Sequence, residues 1–292
     1  MMTKKLKNYA LSTLLAVSSS LIAIPSVSAD TLENIRNKGL LNFAVYKDFP
    51  PYSYVEKGIQ KGIDVEIAKR LGEEMSLQVA IRMVGADENM SDDLRNNIWK
   101  GHYLGGGTAD IMLHAPHDKA YSEKEDLVAF LAPYQIESLA FAIDKSKLGN
   151  SPTLANFTQS PIGVEIDTLS DSYLLRALGG KVMDQVRHYT TLSDAISDLK
   201  AGKIAAVMGP RGELEGILGA NMPEQLAIQR IITPGLSKTT WAMGAAVKAR
   251  NKKLAAATTK AMLAIIRDGS VEKIFKKYHV AYTPAVSVQA AN

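Results

Sequence analysis

The chain has 292 residues, of which 46% are hydrophobic and 22% charged, with 21 Gly, 11 Pro and no Cys. These values are typical of a soluble globular protein and exclude a disordered chain, a collagen-like repeat and a disulfide scaffold. The absence of cysteine also excludes cysteine-based redox or metal chemistry. Lys and Arg number 34 against 30 Asp and Glu, so the formal net charge is +4.

The first 29 residues have the pattern of a secretion signal. Residues 4–7 contain three lysines, an uncharged apolar stretch follows, and residues 27–29 (Val-Ser-Ala) supply the small side chains that a signal peptidase requires. A membrane anchor is the alternative, but the stretch is short, rich in serine and interrupted by Pro25. We therefore predict export to the periplasm, cleavage after Ala29 and no membrane span in the mature chain.

The mature chain is nearly neutral and large enough for two lobes. Removing residues 1–29 removes three lysines and no acid, so 263 residues with a formal charge of +1 remain. Such a charge gives no electrostatic reason to expect binding to nucleic acid or to an anionic membrane surface. A chain of this length is near the upper size of a single core, so two lobes are expected.

Strand and helix patterns alternate in the first half of the mature chain. Residues 40–45 are an apolar run closed by Pro50-Pro51, which predicts a strand and a turn. Apolar residues recur at helical spacing from Ile63 to Leu71. Further strands are predicted at residues 77–84, 111–113, 139–143 and 162–164.

The second half continues the alternation. Thr168 and Thr191 each begin a Thr-x-x-Asp sequence, a pattern that caps the free amides of a helix start. The two predicted helices end at Gly179-Gly180 and at Gly202. Strands are predicted at 205–208 and 226–232, followed by a helical tail over 251–278 with a break at Gly269. This alternation indicates an α/β protein with parallel strands.

Several segments in the right order resemble the polar-amino-acid family of periplasmic solute-binding proteins (solute-binding protein family 3). They are residues 39–54, 62–68, 199–208 and 268–278. The resemblance implies an α/β, two-lobed periplasmic-binding-protein fold of type II, with two hinge strands around a ligand cleft. Carried over, lobe 1 comprises 30–135 and 242–292, lobe 2 comprises 136–241, and the hinges lie near 134–141 and 239–245.

A narrower resemblance is carried by residues 97–116 (Asn-Ile-Trp-Lys-Gly-His-Tyr-Leu-Gly-Gly-Gly-Thr-Ala-Asp-Ile-Met-Leu-His-Ala-Pro). This segment is similar to proteins of the MxaJ and XoxJ type, which accompany PQQ-dependent methanol dehydrogenases. The resemblance implies a periplasmic accessory protein without catalysis or a cofactor of its own. It would bind the dehydrogenase, its cytochrome, or a small ligand needed for maturation or activity. The alternatives are the substrate-binding component of an ABC transporter for a polar solute, and an enzyme on the same fold.

The residues that hold an amino acid in the family are missing here. The family binds the α-carboxylate with an Arg after the strand equivalent to 111–113, but residues 114–121 contain only Lys119, which lacks the bidentate fork. The family's Asp for the α-ammonium is replaced by Pro210 beside Arg211. We therefore expect no tight binding of standard amino acids. Arg211 with Thr168 or Ser170 at a helix start could favour an anion instead.

Three further residues are cleft candidates. An aromatic at the position of Phe49 faces the cleft in the family, and Tyr52 follows in the same turn. His114 and His117 are three residues apart, but a metal site needs additional ligands. We predict no metal site, and a structural or cleft-lining role for His114.

Residues 99–107 are expected to form a partner surface. The segment is several residues longer than in the general family. It places Trp99, His102, Tyr103 and Leu104 beside three glycines. Aromatic groups of this kind are enriched at protein interfaces, although Trp99 could instead close a helix onto the core.

Overall fold

Eleven strands and ten α-helices follow one another along residues 31–285, the part of the chain that the computed structural model describes. The predicted signal sequence and its cleavage after Ala29 lie outside the described residues. Within 31–285, no helix is both long enough and apolar enough to cross a membrane.

The strands are β1 (Leu40–Tyr46), β2 (Tyr54–Glu56), β3 (Ile59–Lys61), β4 (Gln78–Val84), β5 (Ile111–Pro116), β6 (Val128–Asp144), β7 (Ile162–Glu165), β8 (Val186–Tyr189), β9 (Ala206–Pro210), β10 (Leu226–Gln229) and β11 (Thr240–Lys248). The helices are α1 (Thr31–Lys38), α2 (Ile63–Met75), α3 (Met90–Leu94), α4 (Lys119–Ser122), α5 (Lys145–Leu148), α6 (Leu169–Leu174), α7 (Leu192–Lys200), α8 (Arg211–Leu218), α9 (Lys252–Arg267) and α10 (Ser270–Lys277).

The main sheet has the order β4-β1-β5-β11-β6-β9-β7-β8, with β10 paired to β6, and β2 and β3 form a separate hairpin. Pairs at both ends of the order are parallel, as predicted for an α/β protein. In the middle, β11 pairs antiparallel with β5 and β6, and β6 pairs antiparallel with β9. The predicted α/β class and its parallel strands are therefore confirmed, and the antiparallel pairs in the middle of the sheet were not predicted. Two long central strands run against their neighbours and make the sheet mixed.

Strand β6 belongs to both lobes. Its first part, from Val128 to Ser138, pairs with β11, and its second part, from Leu139 to Ile143, pairs with β9. The strand is 17 residues long, so the predicted strand at 139–143 is only its end. The pairing partner therefore changes between Ser138 and Leu139. The exact lobe boundaries, 135/136 and 241/242, and the hinge positions remain predictions.

Lobe 2 has a core on each face of its sheet. Side chains of β6 alternate between the two, because successive residues of a strand point to opposite faces. Leu139, Phe141 and Ile143 enter one core. Ala140 and Ala142 enter the other. Lobe 1 is built in the same way, with its larger core between the sheet and helices α2, α9 and α10.

The last described residues bind both lobes. The amide of Ala281 donates to Glu215 Oε2 on α8 at 2.7 Å. The amide of Ile136 on β6 donates to the carbonyl of Thr283 at 2.8 Å. The hydroxyl of Tyr282 donates to the carbonyl of Tyr134 at 2.8 Å. This tail therefore lies along the shared strand and touches the start of lobe 2.

Most predicted elements are present, with two clear differences. The helix after Thr168 ends at Leu174, because a 3-10 turn over Ala177–Gly180 contains Leu178 in the left-handed region (φ 51). The strand from Leu226 ends at Gln229 rather than at residue 232. The predicted break in the C-terminal helical tail is confirmed, since α9 and α10 are separated at Gly269, which has φ 77.

Gly72 tests how closely α2 packs on β4. Alanine is favoured over glycine in a helix by about 1 kcal/mol. A Cβ at Gly72, however, would lie 2.2 Å from Val79 Cγ2 and 2.9 Å from the carbonyl oxygen of Leu77. That backbone oxygen cannot rotate away. The cost of overpacking, about 1–3 kcal/mol, should therefore exceed the gain in helix propensity. We expect Gly72→Ala to lower the free energy of unfolding in urea titrations.

Gly85→Ala is the matched control for that substitution. A Cβ at Gly85 would first meet the flexible side chain of Lys47, at 3.4 Å. Its free energy of unfolding should change little. Equal effects of the two substitutions would contradict the close α2–β4 contact.

Candidate ligand-binding cleft

A cavity of about 310 Å³ lies between the two lobes. Lobe 1 contributes Phe49 and Pro50 from the turn after β1. The shared strands contribute Leu139 and Trp241. Lobe 2 supplies the remaining apolar wall: Leu169, Leu192, Met208, Pro210 and Ile217. The cavity can therefore take an apolar group, and two aromatic side chains, Phe49 and Trp241, are part of its lining.

Two lobe 2 helices begin at this cavity with capped ends. Thr168 Oγ1 accepts a hydrogen bond from the amide of Asp171 at 3.2 Å, and Thr191 Oγ1 accepts one from the amide of Asp194 at 3.2 Å. These are the caps that the two Thr-x-x-Asp sequences predict. Ser170 on α6 and Ser193 on α7 also line the cavity. Hydroxyl groups and helix starts thus form its polar edge.

All charged residues that line the cavity in the described part of the chain are acidic: Asp48, Glu165 and Glu213. Glu165 Oε2 accepts a hydrogen bond from the amide of Leu192 at 3.1 Å, and burial raises the pKa of this carboxyl. Burial also raises the pKa of Glu213 well above its ordinary value, and the charges of Glu165 and Glu137 raise it further. Within residues 31–285, no side chain forms a hydrogen bond or ion pair with the Glu213 carboxylate.

A buried contact between the lobes lies beside the cavity. The Tyr52 hydroxyl donates to Glu137 Oε2 at 2.5 Å, and the Gly212 amide at the start of α8 donates to Oε1 at 3.3 Å. A Cβ at Gly212 would lie 2.1 Å from the Tyr52 hydroxyl oxygen. Burial and the Glu137 charge raise the pKa of Tyr52, so its hydroxyl stays protonated as the donor.

His114 lies behind this contact. Its ring centroid is 4.2 Å from that of Tyr52 and 4.9 Å from that of Phe49. Its Nδ1 is 3.2 Å from Asp64 Oδ2, and Asp64 Oδ1 accepts a hydrogen bond from the Tyr134 hydroxyl at 2.7 Å. The His114 backbone is in the left-handed region (φ 59), and its side chain is buried. Among the described residues, no group of three or more His, Asp or Glu side chains could hold a metal.

Five of the seven predicted cleft residues lie in the cavity lining or behind it. Phe49, Thr168 and Ser170 line the cavity. Tyr52 and His114 are buried behind it.

The two predicted cations lie outside the cavity lining. The Lys119 side chain is 91% exposed and faces Glu123 at 4.0 Å. Arg211 Nε forms an ion pair with Glu215 Oε1 at 2.5 Å. The combination of Arg211 with Thr168 or Ser170 that would favour an anion is therefore not assembled.

Sequence reasoning missed Glu165, Glu213 and Trp241. Glu165 ends a strand and Glu213 lies in the first turn of α8, so both are at strand-to-helix junctions of lobe 2. Ligands of α/β proteins bind at such junctions. Helix α8 itself was not predicted, because its sequence contains Gly212 and Gly216, which disfavour a helix.

The loop over residues 100–107 is held at its base and exposed at its tip. The Arg82 guanidinium donates to the carbonyls of Gly106 and Gly107 at 2.7 and 3.0 Å. Trp99 packs against the buried core of lobe 1, which agrees with the alternative that this residue closes a helix onto the core. Tyr103 and Leu104 are 88% and 78% exposed. The His102 ring lies 4.5 Å from the Tyr103 ring.

Two lobes that share central strands and enclose a cavity define the type II periplasmic-binding-protein fold. The chain belongs to the bacterial extracellular solute-binding proteins, family 3, whose model matches residues 41–281. It is similar to the ABC transporter arginine-binding protein 1 of Escherichia coli (strain K12), with 25% identity over 264 residues, 88% of this chain and 96% of that protein.

Two solved structures share the fold at low identity. An ancestral cationic amino acid solute-binding protein has a TM-score of 0.66 at 16% identity, covering 85% of this chain and 99% of its own. An amino acid ABC transporter substrate-binding protein from Streptococcus pneumoniae, bound to L-arginine, has a TM-score of 0.59 at 21% identity, covering 85% and 97%. The general family resemblance is thus confirmed. The narrower one, to methanol-oxidation proteins, stays a prediction.

A double-mutant cycle tests the contact between Tyr52 and Gly212. Gly212→Ala alone should destabilise the protein, because the new Cβ meets the Tyr52 hydroxyl oxygen at 2.1 Å. In the Tyr52→Phe background that oxygen is gone, so the same substitution should cost less. Urea unfolding of the four proteins should give a coupling free energy of about 0.5–3 kcal/mol.

Gly216→Ala is the matched control for this cycle. The three atoms nearest to a Cβ at Gly216 all belong to Pro51, and the first of them, Cγ, would lie at 2.4 Å. Its cost should therefore be the same in the wild-type and Tyr52→Phe backgrounds. Additive costs for Gly212→Ala as well would contradict the interlobe contact.

Proposed function

We propose that this protein is an exported solute receptor, the substrate-binding component of an ABC transporter. One observation carries the proposal: a cavity of about 310 Å³ is enclosed by both lobes and lined by apolar, hydroxyl and acidic groups. A small solute held there would contact Phe49 from lobe 1 and helices α6, α7 and α8 from lobe 2. Such a ligand would stabilise the closed arrangement of the lobes by a hinge mechanism.

The proposed role is binding rather than catalysis, and it needs no cofactor. A general acid–base pair requires two groups within reach of the same substrate, with access to the proton that moves. Glu165 is already engaged by the amide of Leu192. In the described part of the chain, the cavity lining supplies no His or Lys that could act as the second member of such a pair. Export and cleavage after Ala29 are part of the same proposal, because such a receptor works outside the cytoplasmic membrane.

Thermal unfolding with a panel of small polar solutes tests the receptor proposal. A solute at 100 times its dissociation constant adds about 2.7 kcal/mol to the stability, which raises Tm by several degrees. Ser193→Trp, which should fill the cavity from α7, should abolish the shift. Ser197→Trp is the matched control, because Ser197 is exposed one turn further along the same helix and does not line the cavity.

Uptake of the same labelled solute by cells should follow the binding result. Cells that carry Ser193→Trp should lose uptake, and cells that carry Ser197→Trp should keep it. A solute that shifts the Tm of Ser193→Trp as much as that of wild type would show binding elsewhere. Either that result or the absence of any Tm shift would contradict the proposal.

We infer a second candidate function from the sequence segment 97–116 and from the exposed loop tip. In it, the protein is an accessory of a PQQ-dependent methanol dehydrogenase and binds the enzyme or its cytochrome during maturation or activity. The exposure of Tyr103 (88%) and Leu104 (78%) favours a partner contact, since large apolar groups are seldom presented together on a fixed loop without use. His102 would support the Tyr103 ring, and Trp99 would anchor the loop to lobe 1.

The double substitution His102→Ala with Tyr103→Ala tests this second candidate. Tyr103 buries little surface, so the Tm should barely change. If the loop binds the dehydrogenase, association with it or methanol oxidation in cells should fall. Trp99→Ala is the contrasting variant, which should cost about 3–5 kcal/mol of stability if it behaves as a core residue. Normal methanol oxidation by cells with the folded double variant would contradict this function.

A further inference from the structure

We infer that the cavity binds a small organic cation, an amine with an apolar body and no carboxylate. This inference deepens the proposed receptor function and rests on it, because it names the class of solute. The ionisable residues that line the cavity are all acidic. They are Asp48, Glu165 and Glu213, and no Lys, Arg or His of residues 31–285 lines it.

A ligand carboxylate would find no partner there. Burying a charge without a counterion is costly, and nearby like charges add to the cost. The nearest predicted cations are engaged or remote: Arg211 pairs with Glu215, and Lys119 projects into solvent. An α-amino acid or a carboxylic acid would therefore bring an unpaired negative charge into an already acidic cavity.

The helix starts do not supply the missing positive charge. Helix N-termini attract anions through their free amides. Here oxygens of the chain itself already accept from an amide at each start. Thr168 accepts at α6, Glu165 and Thr191 accept at α7, and Glu137 accepts at α8. The protein has thus placed its own carboxylates where the family's fold would otherwise favour an anion.

Glu213 is the natural partner of a bound cation. In the described structure its carboxylate has no hydrogen bond or ion pair, and the charges that act on it, from Glu165 and Glu137, are negative. An ammonium group beside it would favour the ionised form of Glu213, pair with that carboxylate and offset its repulsion with Glu165. The aromatic rings of Phe49 and Trp241 line the same cavity and attract cations through their faces.

The size and the remaining walls set the rest of the ligand. A volume of about 310 Å³ is at the lower end for ligand sites. Leu139, Leu169 and Met208 would pack against an alkyl or aryl group. Primary amines with a phenyl or branched alkyl body combine these properties.

Calorimetry with two matched series tests the class of ligand. The first series is 2-phenylethylamine, 2-phenylethanol, phenylalanine and 3-phenylpropionate. The second is isopentylamine, isopentanol, leucine and 4-methylpentanoate. Within each series the apolar body is similar and the charge differs. We expect each amine to bind at least about tenfold more tightly than its alcohol, and the amino acid and acid to bind no more tightly than about millimolar.

Charge-removing variants assign the effect to the cavity. Glu213→Gln and Glu165→Gln should each weaken amine binding at least about tenfold and leave alcohol binding within about twofold. Glu224→Gln is the matched control, because Glu224 is exposed and outside the cavity lining. It should bind both ligands as wild type does. Two independent glutamate variants keep the test valid if one of them does not fold, as judged by its Tm.

Three results would overturn the inference. They are an acid or amino acid that binds more tightly than the matching amine, equal affinity for amine and alcohol, and no binding by either amine to folded protein. Any of these, combined with a solute from the wider panel whose Tm shift is lost in Ser193→Trp, would leave the receptor function standing. A further result is an amine that binds the wild-type protein while cells that carry Ser193→Trp take it up normally. That result would support the ligand class and contradict the transport role.

Discussion

The carboxylate of Glu137 connects the two lobes through hydrogen bonds. It is 5% exposed and lies on β6, the strand that both lobes share. Its oxygens accept from the Tyr52 hydroxyl of lobe 1 and from the Gly212 amide of lobe 2. A buried carboxylate must keep such partners, because losing one exposes it to the full cost of desolvation. The turn after β1 and the start of α8 are thereby held together beside the cavity.

Asp64 and Glu213 differ in what lies beside their carboxyl groups. Asp64 in lobe 1 is buried, its Oδ1 accepts from the Tyr134 hydroxyl, and its Oδ2 lies 3.2 Å from His114 Nδ1. Glu213 in lobe 2 lines the open cavity, and the charged groups that act on it, Glu165 and Glu137, are acidic. Asp64 therefore faces residues of the chain, whereas Glu213 faces space that a ligand can occupy. This difference supports a binding role for Glu213 and not for Asp64.

Local patterns predicted the elements that depend on local physics. The Thr-x-x-Asp caps at Thr168 and Thr191 and the break at Gly269 follow from backbone amides and φ angles alone, and the structure contains all three. Helix α8 was missed because its two glycines lower helix propensity, while the close approach of Tyr52 and Pro51 requires them. Glu165 and Glu213 meet only after lobe 2 folds. Their common cavity is a long-range property that no window of the sequence contains.

Strand β5 connects the exposed loop to the residues that lie behind the cavity. The loop over 100–107 leads into β5, and β5 carries His114 behind the cavity. At its base Arg82 holds two loop carbonyls, and Asp110 accepts from the backbone and side chain of Asn42 at 2.9 Å. These contacts involve neither Tyr103 nor Leu104. The fold thus maintains a fixed loop whose two most exposed apolar residues add little to stability, which leaves them free to serve contact with another protein.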